Sequence, residues 1–144
     1  MKKHLSFFVM IFFVSFAFSQ TVSVEQQLIR TSGFTVHAAH KSFIAGGIST
    51  GNLSKSIEHQ RYAVLQFKTG NISTAVHHSI YARNLAFLVI EANGGKINQN
   101  FAFTNEETQL SVGSPEKAIL DNILTGKTLR DEDFANPQLT GIDL

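Results

Sequence analysis

Between residues 50 and 92 the apolar residues return every three or four positions, the period of a helix that buries one side and wets the other. Leu53, Ile57, Val64 and Phe67 make one such stripe, and Ile72, Val76, Phe87 and Ile90 make a second. The pattern predicts helices over 53–67 and 72–92, with a further one over 34–45. Tyr81, Leu85 and Leu88 lie roughly opposite the second stripe. The helix over 72–92 is therefore expected to have neighbours on both sides and to sit at the centre. Gly51 and Gly70 suit turns with positive φ, Asn52 and Asn71 suit helix caps, and the short link between the last two helices predicts an antiparallel hairpin.

The flanks are read from their punctuation. Ser23 and Gln26 have capping-box spacing ahead of Leu28 and Ile29, which predicts a short helix, with a strand over 21–24 as the alternative. Ala92-Asn93-Gly94-Gly95 is a stop, and Ser114-Pro115-Glu116 opens a C-terminal helix through 118–124 that ends near Gly126. That helix is expected to cover an open face of the hairpin with Ile119, Ile123 and Leu124. The fold class is all-α: a small helical bundle or helical-hairpin repeat, its central antiparallel hairpin closed by the C-terminal helix. It occupies residues 20–126. The tail over 127–144 mixes charges, Pro137 and isolated apolar residues, a composition expected to dock loosely or stay disordered.

The chain also resembles itself. At an offset of 19, Thr50-Gly51-Asn52-Leu53-Ser54 falls on Thr69-Gly70-Asn71-Ile72-Ser73, and His59, Tyr62 and Ala63 fall on His78, Tyr81 and Ala82, with seven identities. A fainter copy sets Thr31, Phe34, Thr35, Ala38, His40 and Phe43 in the same columns. Each copy reads as one helix preceded by a turn, a unit that stacks on its neighbours. Over residues 56–90, Ala63 late in the first helix, Gly70 at the turn, and Ala75 and Ala82 in the second helix resemble a tetratricopeptide-repeat hairpin. Ile72 stands where that motif carries an aromatic, no Pro closes the unit, and no second copy follows at the repeat length of 34 residues. The resemblance implies a helical hairpin of the protein-binding kind.

Composition changes this picture at the N-terminus. Met1-Lys2-Lys3-His4, the nearly unbroken apolar run 5–16, and Ala17 and Ser19 before Gln20 have the layout of a bacterial secretory signal over 1–19. The run is too short for a comfortable membrane span, so a periplasmic or extracellular protein without a stable span after cleavage is expected. Six of the 13 Phe lie in this segment, which leaves a modest core. Without residues 1–19, which hold Lys2 and Lys3 and no acid, the formal charge falls from +1 to −1. A chain so balanced, with no basic cluster, offers nothing to nucleic acid. The absence of Cys excludes disulfides, thiolate metal sites and a cysteine-linked lipid anchor.

Five His remain after the signal: His37, His40, His59, His77 and His78. His40, His59 and His78 share one column of the repeat, each three residues before an aromatic (Phe43, Tyr62, Tyr81), a spacing that puts both side chains on one helix face. In a bundle with alternating helix directions the three imidazoles reach similar heights. Converging, they form a candidate Zn²⁺ or Cu²⁺ site, with His37 as a further nitrogen. The competing account has each His donate to a carbonyl or phenol at the seam between helices. No His-Glu-x-x-His, Glu-x-x-His or Gly-x-Ser-x-Gly is present, so no catalytic residue is assigned and enzymatic activity is not expected.

The Gly pairs at 46–47 and 94–95 read as helix ends. The acids Glu106-Glu107 and Asp131-Glu132-Asp133 read as dipole partners and solvated groups rather than a Ca²⁺ loop. Arg61 and Arg83 are expected to lie over the core or to pair with Glu58 or Glu91. Taken together, these features predict an exported, non-enzymatic module that binds a protein or peptide along exposed Tyr62, Tyr81, Leu85 and Leu88. A metal-binding protein using His40, His59 and His78 is the alternative.

Overall fold

Ser23 accepts a hydrogen bond from the Gln26 amide at 3.2 Å and so starts the first helix, as its capping spacing predicted. In the computed structural model, which describes residues 21–136 and 138–144, this helix does not stop short. It runs as α1 from Val24 to Gly46 and closes on Gly47 at φ 71°, so the expected short helix and the helix over 34–45 are one rod. Gly33, just before the predicted start, is helical and buried. Its missing side chain makes room: a Cβ there would stand 2.7 Å from the backbone oxygen of Ile142. The signal-like segment 1–19 lies outside the described residues.

α2 (Asn52–Lys68) and α3 (Ile72–Ala92) follow with nearly the boundaries that the apolar period predicted. Gly51 and Gly70 take positive φ, 76° and 87°. The caps differ from expectation, since neither Asn52 nor Asn71 caps with its side chain. The start of α2 is capped from a distance by the fully buried Asp131, whose carboxylate accepts from the amides of Thr50, Gly51 and Ser54 at 2.7–2.9 Å. This places a negative charge on the positive end of the helix dipole. Asp131→Ala leaves three amides without that acceptor and is expected to cost about 2 kcal/mol in urea denaturation.

α3 packs on both α1 and α2, as its two-sided apolar pattern required. One cluster joins Val36, Ala39, Phe43, Leu53, Ile57, Ala86, Val89 and Ile90; a second joins Leu28, Ile29, Val64, Ala75, Val76 and Ile80. Ile72, in the first turn of α3, is 38% exposed and does not join the stripe predicted for it. After α3 come two short helices, α4 (Asn105–Leu110) and α5 (Lys117–Leu120), with three 3-10 turns at Gln99–Phe101, Asp121–Leu124 and Asp131–Phe134. The described residues are helical, with no strand among them, and pack as a small bundle.

α4 is opened by a capping box between Thr104 and Glu107. The predicted C-terminal helix is only one turn of α-helix followed by a 3-10 turn, and its contact residue is not the one expected. Leu120 is buried against Tyr81 and Leu85, whereas Ile119 is 57% exposed.

The tail over 127–144 was expected to dock loosely or stay disordered, yet its described residues are fastened at several points. Ile142 is wholly buried in the first cluster, with Phe134 and Leu139 packed beside it. The Gln60 amide donates to the carbonyls of Ile29 and Ile142, at 2.9 and 3.0 Å, and the Arg61 Nε donates to Thr140 O at 2.9 Å. Gly33→Ala therefore sets a gain in helix propensity of up to about 1 kcal/mol against a backbone clash. The clash is expected to win, seen as faster amide exchange at residues 139–144 while α3 keeps its protection.

Candidate functional site

The repeat places His59 and Tyr62 on α2 and His78 and Tyr81 on α3, and the antiparallel hairpin brings the two pairs face to face. His59 and His78 stack with centroids 5.1 Å apart, while His59 packs on Tyr81 and Tyr62 packs edge-on to His78, each at 4.7 Å. The two imidazoles are hydrogen-bonded Nδ1 to Nδ1 at 2.9 Å. Asp121, at the end of α5, reaches the other nitrogen of His59: its Oδ1 lies 3.0 Å from Nε2. Its Oδ2 accepts from Lys55 Nζ at 3.2 Å.

These contacts fix the protons. A carboxylate can only accept, so His59 Nε2 carries a hydrogen and, in the neutral ring, His59 Nδ1 is a bare acceptor. The hydrogen between the rings then belongs to His78 Nδ1, which leaves His78 Nε2 with a free lone pair. Among the described residues every buried side-chain nitrogen or oxygen has a hydrogen-bond partner. His78 bonds through Nδ1, so its Nε2 reaches solvent at the edge of an otherwise buried ring. The result is a line of three groups, Asp121, His59 and His78, with all hydrogens pointing toward the carboxylate.

Burial sets the charge state. It pushes His78 down to about 4, and the neighbouring His59 and His77 add to the effect. It lowers His59 as well, although the Asp121 carboxylate pulls the other way. Tyr81 is pushed up to about 12, first by burial and then by the charge of Asp121. For Asp121 itself burial acts upward, but the hydrogen bonds and charges of His59 and Lys55 outweigh it and hold the carboxyl below its ordinary value. At neutral pH the site is two neutral imidazoles, one neutral phenol and one carboxylate paired with Lys55.

The three His predicted to converge are divided. His59 and His78 meet, whereas His40 donates from Nε2 to the Phe134 carbonyl at 2.7 Å and serves the tail, the role foreseen in the competing seam account. His37 lies 3.0 Å from Asp143 at the surface. Among the described residues no group of three or more His, Asp or Glu is arranged to hold a metal ion. The 2.9 Å contact between the Nδ1 atoms is a direct hydrogen bond, and it is also within the separation of two nitrogens that share one ion at roughly 2 Å each. Spacing gave no hint of Asp121, which is 62 residues from His59 and meets it only once α5 crosses the hairpin.

The predicted binding residues are divided too. Tyr81 and Leu85, expected on an exposed face, are 8% and 5% exposed because Leu120 covers them. Leu88 is half exposed, and Tyr62 lines an open groove of about 380 Å³ with Leu65, Ile123, Glu58, Arg61 and Lys127. Glu58 sits between Arg61 and Lys127 as the shared acceptor of two ion pairs. Burial acts to raise the Glu58 carboxyl, but these two cations overcome it and hold the group below its usual value.

Arg83, expected to pair with Glu91 or lie over the core, is instead fully buried and held bidentately by Glu107, at 2.9 and 3.0 Å. No protein family, curated protein or solved structure shows a significant match to the chain.

Proposed function

We propose that this chain is an exported, non-enzymatic helical module that binds a protein or peptide partner in the groove along α2. One observation carries the reading. The groove of about 380 Å³ has an apolar floor of Tyr62, Leu65 and Ile123 and a polar edge of Glu58, Arg61 and Lys127. Tyr and Arg are among the side chains that most often anchor a protein partner, and Leu65 is 55% exposed. The likeness of the hairpin to a tetratricopeptide repeat and the signal-like residues 1–19 support a protein-binding role outside the cytoplasm.

Leu65→Glu puts a charge on the groove floor at an exposed site, so folding is unaffected. Partners captured from an envelope extract by the wild type are expected to be lost at least tenfold in this variant, a cost of about 1.4 kcal/mol or more. Equal capture by both proteins overturns the groove as the site.

A second reading rests on the meeting of His59 and His78, two of the three expected ligands for Zn²⁺ or Cu²⁺. Titration of the protein with either ion, compared with His59→Ala, separates the two. A stoichiometric site that vanishes in the variant favours metal capture and displaces the first reading.

A further inference from the structure

His77, Ile80, Tyr81 and Asn84 recur three and four positions apart, so they form one stripe along α3. The chain returning from α4 to α5 runs over this stripe. Its turn over 111–114 is closed by the Ser114 amide, which donates to the Ser111 carbonyl at 3.1 Å, and Gly113 takes the positive φ of 79° that the turn requires. Between the stripe and the returning chain lies a cleft of about 220 Å³, which shares no lining residue with the groove along α2.

The floor of the cleft is apolar and nearly shut off from water: Ile80 and Tyr81 are each 8% exposed and Leu120 is 6% exposed. The rim is polar. Among the described residues no ion pair or side-chain hydrogen bond takes up Lys117, Asn84 or His77. Ser111 has spent its hydroxyl hydrogen on the Thr108 carbonyl at 2.6 Å. What the rim offers a ligand is therefore chiefly donors, from the Lys117 ammonium, the Asn84 amide and the Ser114 hydroxyl, with one full positive charge. The neighbouring carboxylates do not compete for that charge. Glu107 is held bidentately by Arg83, Asp121 is bonded to Lys55 and His59, and Glu116 does not line the cleft.

We propose that this cleft binds a small monocarboxylate with an apolar body, its carboxylate held by Lys117 and its body laid on Ile80, Tyr81 and Leu120. Charge selects the head group. One ammonium balances one carboxylate, whereas a phosphate monoester, with a charge of about −2, would be left half-compensated. Volume selects the body. The cleft is smaller than the roughly 300 Å³ at which sites for drug-sized ligands begin, so it admits a single ring or a short branched chain. The body supplies the driving force by leaving water, and the charge supplies the discrimination. The site does not depend on the α2 groove having a partner.

Amide nitrogen–proton spectra of the isotope-labelled protein test this directly. The probes are phenylacetate and 4-methylpentanoate, each titrated beside its uncharged amide, with acetate as the head group alone. Both acids are expected to give saturable shifts, one ligand per chain, confined to residues 77–84 and 111–120. Each acid is expected to bind about fivefold more tightly than its amide. Lys117 is exposed, so Lys117→Met keeps the stem and the fold while removing the charge. In that variant both acids are expected to weaken by about fivefold and the amides to bind as before.

The absence of a saturable shift with either acid overturns the proposal. So does equal affinity for acid and amide, or an acid affinity that Lys117→Met leaves unchanged. Acetate binding as tightly as phenylacetate would reduce the site to an adventitious ion on a surface lysine. Shifts centred on residues 58–65 and 127 would place the anion on Arg61 and Lys127 in the α2 groove, which overturns the cleft as its site.

Discussion

Glu107→Ala is expected to remove about 3–5 kcal/mol of stability, among the largest effects available to a single substitution in this chain. Its partner Arg83 is the largest fully buried side chain among the described residues, and its guanidinium is satisfied on every side. It donates to both oxygens of Glu107, to Ser32 Oγ at 3.0 Å and to the Leu28 carbonyl at 2.8 Å, and lies 4.4 Å over the ring of Phe103. Removing the carboxylate leaves a cation in the core without its counter-charge, and the penalty is mostly that of the stranded charge. Glu107 also accepts from the Thr104 amide at 2.9 Å, so the start of α4 loosens at the same time.

The midpoint of thermal unfolding should fall by about 10–20 °C. Arg83→Met combined with Glu107→Leu removes both charges and is expected to recover part of the loss, though the Leu28 carbonyl and Ser32 still forfeit their donor. A single Glu107→Ala variant within about 1 kcal/mol of wild type would show that the ion pair adds nothing beyond what water provides.

This ion pair also marks the limit of what the sequence could disclose. α2 and α3 were legible because their apolar residues repeat at the helical period and Gly51 and Gly70 punctuate them. Although Glu107 reads in the sequence only as a dipole partner or solvated acid, its box with Thr104 was open to reading from the three-residue spacing. Its second use was not, since nothing local says that the Glu of a short surface helix will reach a buried Arg 24 positions earlier.

Gly33 is a further case: inside α1 it is a clearance for the returning tail, which no local pattern announces. Asp131 looked like one of three solvated acids, yet it caps a helix 77 to 81 positions away. At the candidate site, the repeat foretold that His59 and His78 would share a face and a height. It could not show that α5 would lay Asp121 across one ring and Leu120 across Tyr81. In each case the missing information is tertiary: a side chain whose partner lies beyond the reach of any periodic pattern.

Acidification is the second large effect, and its sign follows from His78. Folding lowers this group from the ordinary 6.5 to about 4, mainly by burial. Between those values the unfolded chain holds a proton that the folded chain lacks, so stability rises with pH across the interval. The contribution is therefore complete above pH 6.5 and is lost as pH falls toward about 4. A shift of this size corresponds to about 3 kcal/mol. His59, also lowered by burial, acts in the same direction. Asp121 adds its share further down, as the pH passes through its own depressed value.

Urea midpoints at a series of pH values should trace this decline, and the slope should level off once the imidazole seam has opened, because the two rings then titrate as in water. His78→Asn, which holds the seam without a titrating ring, should be less stable than wild type at neutral pH yet lose far less on acidification, so that the two curves converge. Parallel curves for the two proteins would mean that the acid sensitivity lies elsewhere, and the buried pair would be no more than packing.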